Sequence, residues 1–73
     1  MKKLPVAAHL SDGEYKLLLQ VYANHNRSMG MEERKGHTLS DIEEVVRNTR
    51  QNCLEIYFKN ENWWHYSVDG SWY

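Results

Sequence analysis

The sequence has 73 residues, 9 Lys and Arg against 10 Asp and Glu, and a formal net charge of −1, which fits one small domain over residues 1–73. Its single cysteine, Cys53, excludes an internal disulfide and favours a reducing compartment, so we expect a cytoplasmic location. No apolar run approaches the roughly 20 residues of a transmembrane helix, and the near-neutral charge argues against non-specific binding to nucleic acid or a membrane.

The N-terminal stretch MKKLPVAAHL begins like a signal peptide, but its apolar patch is too short for one and runs into a helix start. Residues 4–6 are a candidate edge strand, whose pairing Pro5 would limit. The motif LSDGE at 10–14 is a capping box, in which Ser11 and Glu14 satisfy each other's free backbone N–H. Helical spacing of apolar residues then predicts a first helix over residues 12–26, apolar around more than half of its circumference.

A second capping pattern, LSDIE at 39–43, predicts another helix over residues 41–50, with Thr38 and Asp41 as a competing cap. Its narrow apolar stripe consists of Leu39, Ile42, Val45 and Val46. Acidic residues at its start and arginines at its end would complement the helix dipole. The segment between the two helices contains two glycines and mixed charges, which predicts a mobile loop.

From Leu54 onward apolar and polar residues alternate, which predicts strands over residues 54–59 and 63–68. The Asp69-Gly70 pair predicts a two-residue turn into a short third strand over residues 71–73. Between the first two strands we expect a three-residue connection over residues 60–62, since an even-numbered one would mix the two faces. The predicted fold class is therefore α+β, in the order α-α-β-β-β, with two helices packed on one face of a three-stranded antiparallel meander.

The last fourteen residues contain all three tryptophans and two of the five tyrosines. The predicted registers turn one set toward the helices: Trp64, Tyr66, Val68 and Tyr73. The reverse face carries the candidate binding residues Tyr57, Trp63, His65 and Trp72. A large aromatic patch left exposed on a monomer is typical of an interface. One alternative stays open, in which the N-terminal segment or the 24–37 loop folds over this patch.

The side chains that could carry chemistry are scattered along the chain. The four histidines are His9, His25, His37 and His65. They show no paired metal-ligand spacing, so we predict no metal and no other cofactor. Cys53 and His65 could form a thiolate pair, but the predicted register separates them, and we expect Cys53 to be a small apolar residue at a helix–strand junction. Without a phosphate-binding loop or a catalytic triad, an enzyme is not expected.

We therefore expect a non-catalytic protein-binding or regulatory accessory protein, homodimeric through the reverse sheet face or the broad apolar surface of the first helix. In size and composition it is similar to small bacterial or phage accessory proteins. The alternative function is a single-stranded nucleic-acid binder that stacks bases on the same aromatic face. Charge disfavours that alternative, because Lys59 is the only cation of the predicted sheet. The acidic start of the second helix similarly disfavours a winged-helix mode of DNA binding.

Overall fold

The computed structural model describes residues 3–73, so Met1 and Lys2 of the predicted 1–73 domain lie outside it. Helix α1 spans Asp12–Ser28 and the single-turn helix α2 spans Met31–Arg34. The strands are β1 (Ile42–Asn48), β2 (Cys53–Phe58) and β3 (Trp63–Ser67), and they form an antiparallel sheet in the order β1-β2-β3. The predicted α+β class and its three-stranded meander are confirmed, although several residues occupy other elements than predicted.

Helix α1 begins at the predicted capping box. The Ser11 hydroxyl accepts the Glu14 N–H at 3.2 Å, and the Glu14 carboxylate accepts the Ser11 N–H at 2.8 Å. The buried side of the helix follows helical spacing and consists of Tyr15, Leu18, Val21 and His25. The helix continues two residues beyond the predicted end at residue 26. Local capping and apolar periodicity therefore account for this element.

The second predicted helix, over residues 41–50, is wrong, because most of that segment is strand β1. Thr38 and Asp41 do form a capping box, but it closes only a single 3₁₀ turn over Leu39–Asp41. A bulge between Ile42 and Glu44 then shifts the strand alternation by one residue, so that Ile42 and Val45 both face the core. That three-residue separation is also helical spacing, which explains the wrong assignment. Helix α2 lies inside the segment predicted as a loop and contributes no buried residue.

Strands β2 and β3 pair with Ile56 opposite Trp64 and Tyr57 opposite Trp63. The Phe58 N–H donates to the Asn62 carbonyl at 2.9 Å, which leaves a three-residue connection over residues 59–61. The predicted odd-numbered connection is therefore correct in length but lies one residue earlier, and Glu61 takes the positive φ of 72°. Because its length is still odd, the predicted division of β2 and β3 residues between the two faces is retained.

The turn after β3 is longer than predicted, and this difference exchanges the sheet faces on which Trp72 and Tyr73 lie. His65 and Tyr73 donate backbone N–H groups to each other's carbonyls at 2.9 and 3.0 Å, and Ser67 N–H donates to Ser71 at 2.8 Å. The connection therefore has three residues, 68–70, with Gly70 at φ 92°, and the predicted two-residue turn is wrong. The predicted third strand is reduced to an isolated bridge between Trp72 and Tyr66.

The core lies between the sheet and a cover made of α1 and the N-terminal segment. Residues 4–6 do not form the candidate edge strand, because Pro5–Ala7 is a 3₁₀ turn that packs beside β1. The Leu4 N–H donates to the Tyr15 hydroxyl at 3.2 Å, which fixes this turn to α1. The hydrophobic core cluster consists of Ala7, Leu10, Tyr15, Leu18, Val21, Ile42, Val45, Leu54, Ile56, Phe58 and Tyr66.

Candidate functional site

Three of the four predicted binding residues lie together on the sheet face that points away from α1. The Tyr57 and Trp63 rings stack with centroids 5.4 Å apart and planes 13° apart. The Trp63 and His65 rings are 4.8 Å apart, and the row ends with Tyr73 stacked on His65 at 4.6 Å and 5°. We call these four residues, Tyr57, Trp63, His65 and Tyr73, the aromatic face.

The geometry of this row follows from strand pairing. Tyr57 lies directly opposite Trp63, and His65 directly opposite Tyr73, so each stacked pair is a cross-strand pair. Trp63 and His65 are two residues apart on one strand and therefore share a face. Such aromatic pairs contribute about 0.5–1.5 kcal/mol each beyond the area they bury. The sheet backbone thus fixes the row of rings.

No element of residues 3–73 packs over the aromatic face. Trp63 keeps 48% of its surface exposed and Tyr73 keeps 58%. Both segments that could have covered the face lie on the opposite side of the sheet, where Ala7 joins the core and His37 packs its ring against Phe58 at 4.7 Å. The alternative in which the N-terminal segment or the 24–37 loop buries the patch is therefore wrong.

Trp72, the fourth predicted binding residue, lies on the core side instead. Its indole stacks on the buried His25 ring with centroids 5.2 Å apart, and it packs against the hydrophobic core. The three-residue turn places Trp72 opposite Tyr66 on the core side of the sheet. Tyr73 then occupies the position on the aromatic face that had been predicted for Trp72. The signal for Tyr73 was present in the sequence, since a glycine at the third loop position is also typical of a three-residue hairpin.

His25 is 2% exposed and lies within an aromatic cluster. Its Nδ1 forms a 2.9 Å hydrogen bond with the Tyr66 hydroxyl, and its ring meets Trp64 edge-on at 4.4 Å. Burial, with a smaller contribution from nearby His37, lowers the pKa of His25 to about 4. Burial likewise raises the pKa of Tyr66, to above its usual range. This cluster is therefore uncharged near neutral pH and acts as part of the core.

Glu55 is a charged residue that lies among the four rings of the aromatic face. It was not among the binding residues predicted from the sequence. It lies directly across from His65 and between β1 and β3 on the central strand. Its carboxylate accepts the Tyr57 hydroxyl at 2.8 Å and the Asn48 side-chain amide at 2.9 Å. These hydrogen bonds, with a smaller contribution from His65, hold the pKa of the Glu55 carboxyl below its usual range. The face therefore carries a fixed negative charge.

Cys53 and His65 are not directly opposite each other in the pairing of β2 with β3. Cys53 lies opposite Ser67, and His65 lies opposite Glu55. Cys53 is buried at the start of β2, after a turn that joins two strands rather than at the predicted helix–strand junction. Burial is the main cause that raises the pKa of its thiol. The thiol is therefore protonated and shielded at neutral pH, unlike a nucleophilic cysteine.

Within residues 3–73, no group of three or more His, Cys, Asp and Glu side chains is placed to hold a metal ion. Neither α1 nor α2 has the length and hydropathy that crossing a bilayer requires. The aromatic face is thus the candidate site that the geometry offers. Comparisons of the chain with protein-family models, curated proteins and solved structures returned no match.

Proposed function

We propose that this chain is a small, non-catalytic accessory protein that works by binding another protein molecule through the aromatic face. The observation that supports the proposal is the row of stacked rings that stays exposed on the outer side of the sheet. Tryptophan and tyrosine dominate the binding energy of many protein interfaces, because they bury large surfaces with few rotatable bonds.

The rigid setting of these rings supports the same proposal. Tyr57, Trp63 and His65 lie on two paired strands, and the Tyr73 backbone is bonded to His65 in both directions. A partner that covers them would therefore order little additional chain, which lowers the entropic cost of association. Trp63 and Tyr73 keep about half of their surface exposed, so covering each would remove about half of the roughly 150–250 Å² that a fully buried aromatic side chain represents.

A homodimer in the cytoplasm remains part of the proposal. The first helix offered an alternative contact surface, but its flanking apolar residues Leu17, Leu19 and Tyr22 pack against the chain's own core. The aromatic face is left as the better candidate for contact between two copies. A two-fold pair is the commonest assembly that such a surface forms.

Sedimentation equilibrium at micromolar concentrations would test self-association, with Trp63→Ala as the disrupting variant. We expect a concentration-dependent dimer for the wild type and a monomer for the variant. Met31→Ala is the matched control, because Met31 is another exposed apolar residue, 79% exposed, on α2. Co-purification from native extract, repeated with both variants, tests binding to other proteins. Identical results for wild type and Trp63→Ala in both assays would contradict the proposal.

Single-stranded nucleic acid is a second candidate, supported by the flat exposed rings on which bases could stack. The negative charge of Glu55 opposes it, since phosphates would be repelled. Titration with a single-stranded oligonucleotide between about 50 and 200 mM salt distinguishes the two candidates. Tight binding that weakens steeply with salt would favour the nucleic-acid function.

A further inference from the structure

Within residues 3–73, no salt bridge joins the Glu55 carboxylate to a cationic side chain. Its two hydrogen-bond donors are neutral groups, the Tyr57 hydroxyl and the Asn48 amide. The ion pairs formed within residues 3–73 involve other acidic residues, namely Asp12, Glu14 and Glu32. Each oxygen of an ionised carboxylate can accept two hydrogen bonds, so Glu55 retains free acceptor positions.

The remaining strand residues do not supply the missing positive charge. Arg47 is the only Lys or Arg within β1, β2 and β3, and its guanidinium is committed to Glu14 and the His9 carbonyl on the helix side. Glu44, opposite Tyr57 in β1, adds a second acidic residue at an exposed position. His65 lies across from Glu55 and contributes a ring to the row rather than a Lys or Arg side chain.

Flat aromatic rings beside a fixed carboxylate suit a guanidinium group. Guanidinium stacks on aromatic faces and donates parallel hydrogen bonds to carboxylates, and it is less strongly hydrated than an ammonium group. Resting on the proposed protein-binding function, we infer that the aromatic face takes an arginine-bearing segment of a partner protein. The guanidinium stacks on the Trp63–His65 row while donating to the free positions of Glu55.

Charge complementarity favours an arginine-bearing segment over a second copy of the chain and over a nucleic acid. A second copy of the chain brings no free Lys or Arg from its strands to this face, because its Arg47 is held by Glu14 on the helix side. Its association would therefore desolvate two Glu55 carboxylates without a counter-charge. An arginine-bearing segment should therefore displace a second copy from the face. A nucleic acid presents phosphates to the same carboxylates, which is unfavourable.

Titration with hexa-arginine and hexa-lysine peptides, monitored by the backbone amide signals of β2 and β3 in two-dimensional NMR, tests the inference. We expect hexa-arginine to bind at least about tenfold more tightly than hexa-lysine, and Glu55→Gln to weaken hexa-arginine by about tenfold or more. The Gln side chain retains the size of Glu and removes only its charge. Glu32→Gln is the matched control, because Glu32 is an exposed carboxylate paired with Lys35 on α2.

The outcomes separate this inference from the proposed function. Equal binding of hexa-arginine to wild type, Glu55→Gln and Glu32→Gln overturns the inference, as does a preference for hexa-lysine or for oligothymidylate. If Glu55→Gln loses its fold by circular dichroism, Trp63→Ala replaces it, and unchanged hexa-arginine binding by that variant overturns the inference. If neither peptide binds the protein while Trp63→Ala still disrupts self-association or co-purification, the inference is wrong and the proposed function stands.

Discussion

At the scale of single residues, His25 shows how burial changes the chemistry of a common side chain. Its ring is enclosed by Trp64, Tyr66 and Trp72, and its pKa in the folded protein is about 4 against an ordinary value of 6.5. The unfolded chain therefore binds a proton on this side chain at a higher pH than the folded protein does. Stability should consequently fall as pH drops through 6.5 and level off below about 4.

The size of this effect is measurable. The shift from 6.5 to about 4 corresponds to a loss of about 2–3 kcal/mol in the free energy of unfolding between pH 7 and pH 4.5. Urea unfolding at a series of pH values measures it, with His25→Gln as the comparison. The variant should lose most of the pH dependence between pH 6.5 and 5, where carboxylates contribute little. Parallel pH profiles for wild type and variant would show that His25 is not the responsible group.

Cys53 is a second residue whose setting predicts a direct measurement. It is 4% exposed, and burial raises the pKa of its thiol, so both access and thiolate fraction are low in the folded protein. Labelling with a thiol-reactive disulfide reagent at pH 8 should be at least about 100-fold slower in the native protein than in guanidinium chloride. Native labelling as fast as that of a free cysteine would contradict the burial of Cys53 in solution.

At the scale of elements, local sequence patterns were sufficient to predict α1 and β2. The conformation of β1, in contrast, depends on its pairing with a strand that is distant in sequence. The capping box of Ser11 and Glu14 and the strict alternation in β2 each act within a few residues, so the sequence carries them fully. In β1, the bulge at Glu43 gives a strand the apolar spacing of a helix. Pairing with β2 along its whole length outweighs this local preference, and single-sequence reasoning does not contain that pairing energy.

The terminal hairpin shows how one residue of register changes a site. Asp69-Gly70 fits a two-residue turn, and glycine equally fits the third position of a three-residue turn. The structure adopts the longer turn, which orients Trp72 toward His25 and Tyr73 toward His65. Tyr57, Trp63 and His65 could be predicted because alternation within β2 and β3 fixes them. Tyr73 could not, because the Asp69-Gly70 signal fits both turn lengths, and the two turns place different side chains on the aromatic face.

This register makes a prediction about the two terminal aromatics. Trp72→Ala should lower the free energy of unfolding by about 2–3 kcal/mol, less than for a fully buried tryptophan, because the indole is half-buried against the core. Tyr73→Ala should cost less than about 1 kcal/mol, since the ring is 58% exposed, yet it should weaken binding at the aromatic face. Urea melts of both variants measure the costs. If Tyr73→Ala proves the more destabilising, the two-residue turn is the correct one.

At the scale of the whole molecule, stability is distributed unevenly across the fold. Strand β2 is hydrogen-bonded on both edges, and Leu54, Ile56 and Phe58 on its inner side are almost completely buried. The aromatic face is built on the outer side of this same central strand and of β3. Helix α2, in contrast, is one turn long and buries no side chain. The candidate site therefore rests mainly on two paired strands rather than on a loop, as a preorganised binding surface requires.

Native-state amide hydrogen exchange tests this distribution. Amides in the interior of β2 should exchange only through global unfolding, whereas those of Met31–Arg34 should exchange through local opening that costs several kcal/mol less. In low concentrations of urea, the amide exchange rates of β2 should therefore rise strongly with urea concentration, whereas those of α2 should hardly change. Trp63→Ala should leave this ranking unchanged, because Trp63 is outside the core. Protection of α2 equal to that of β2 would contradict the ranking and would mean that α2 is covered in solution.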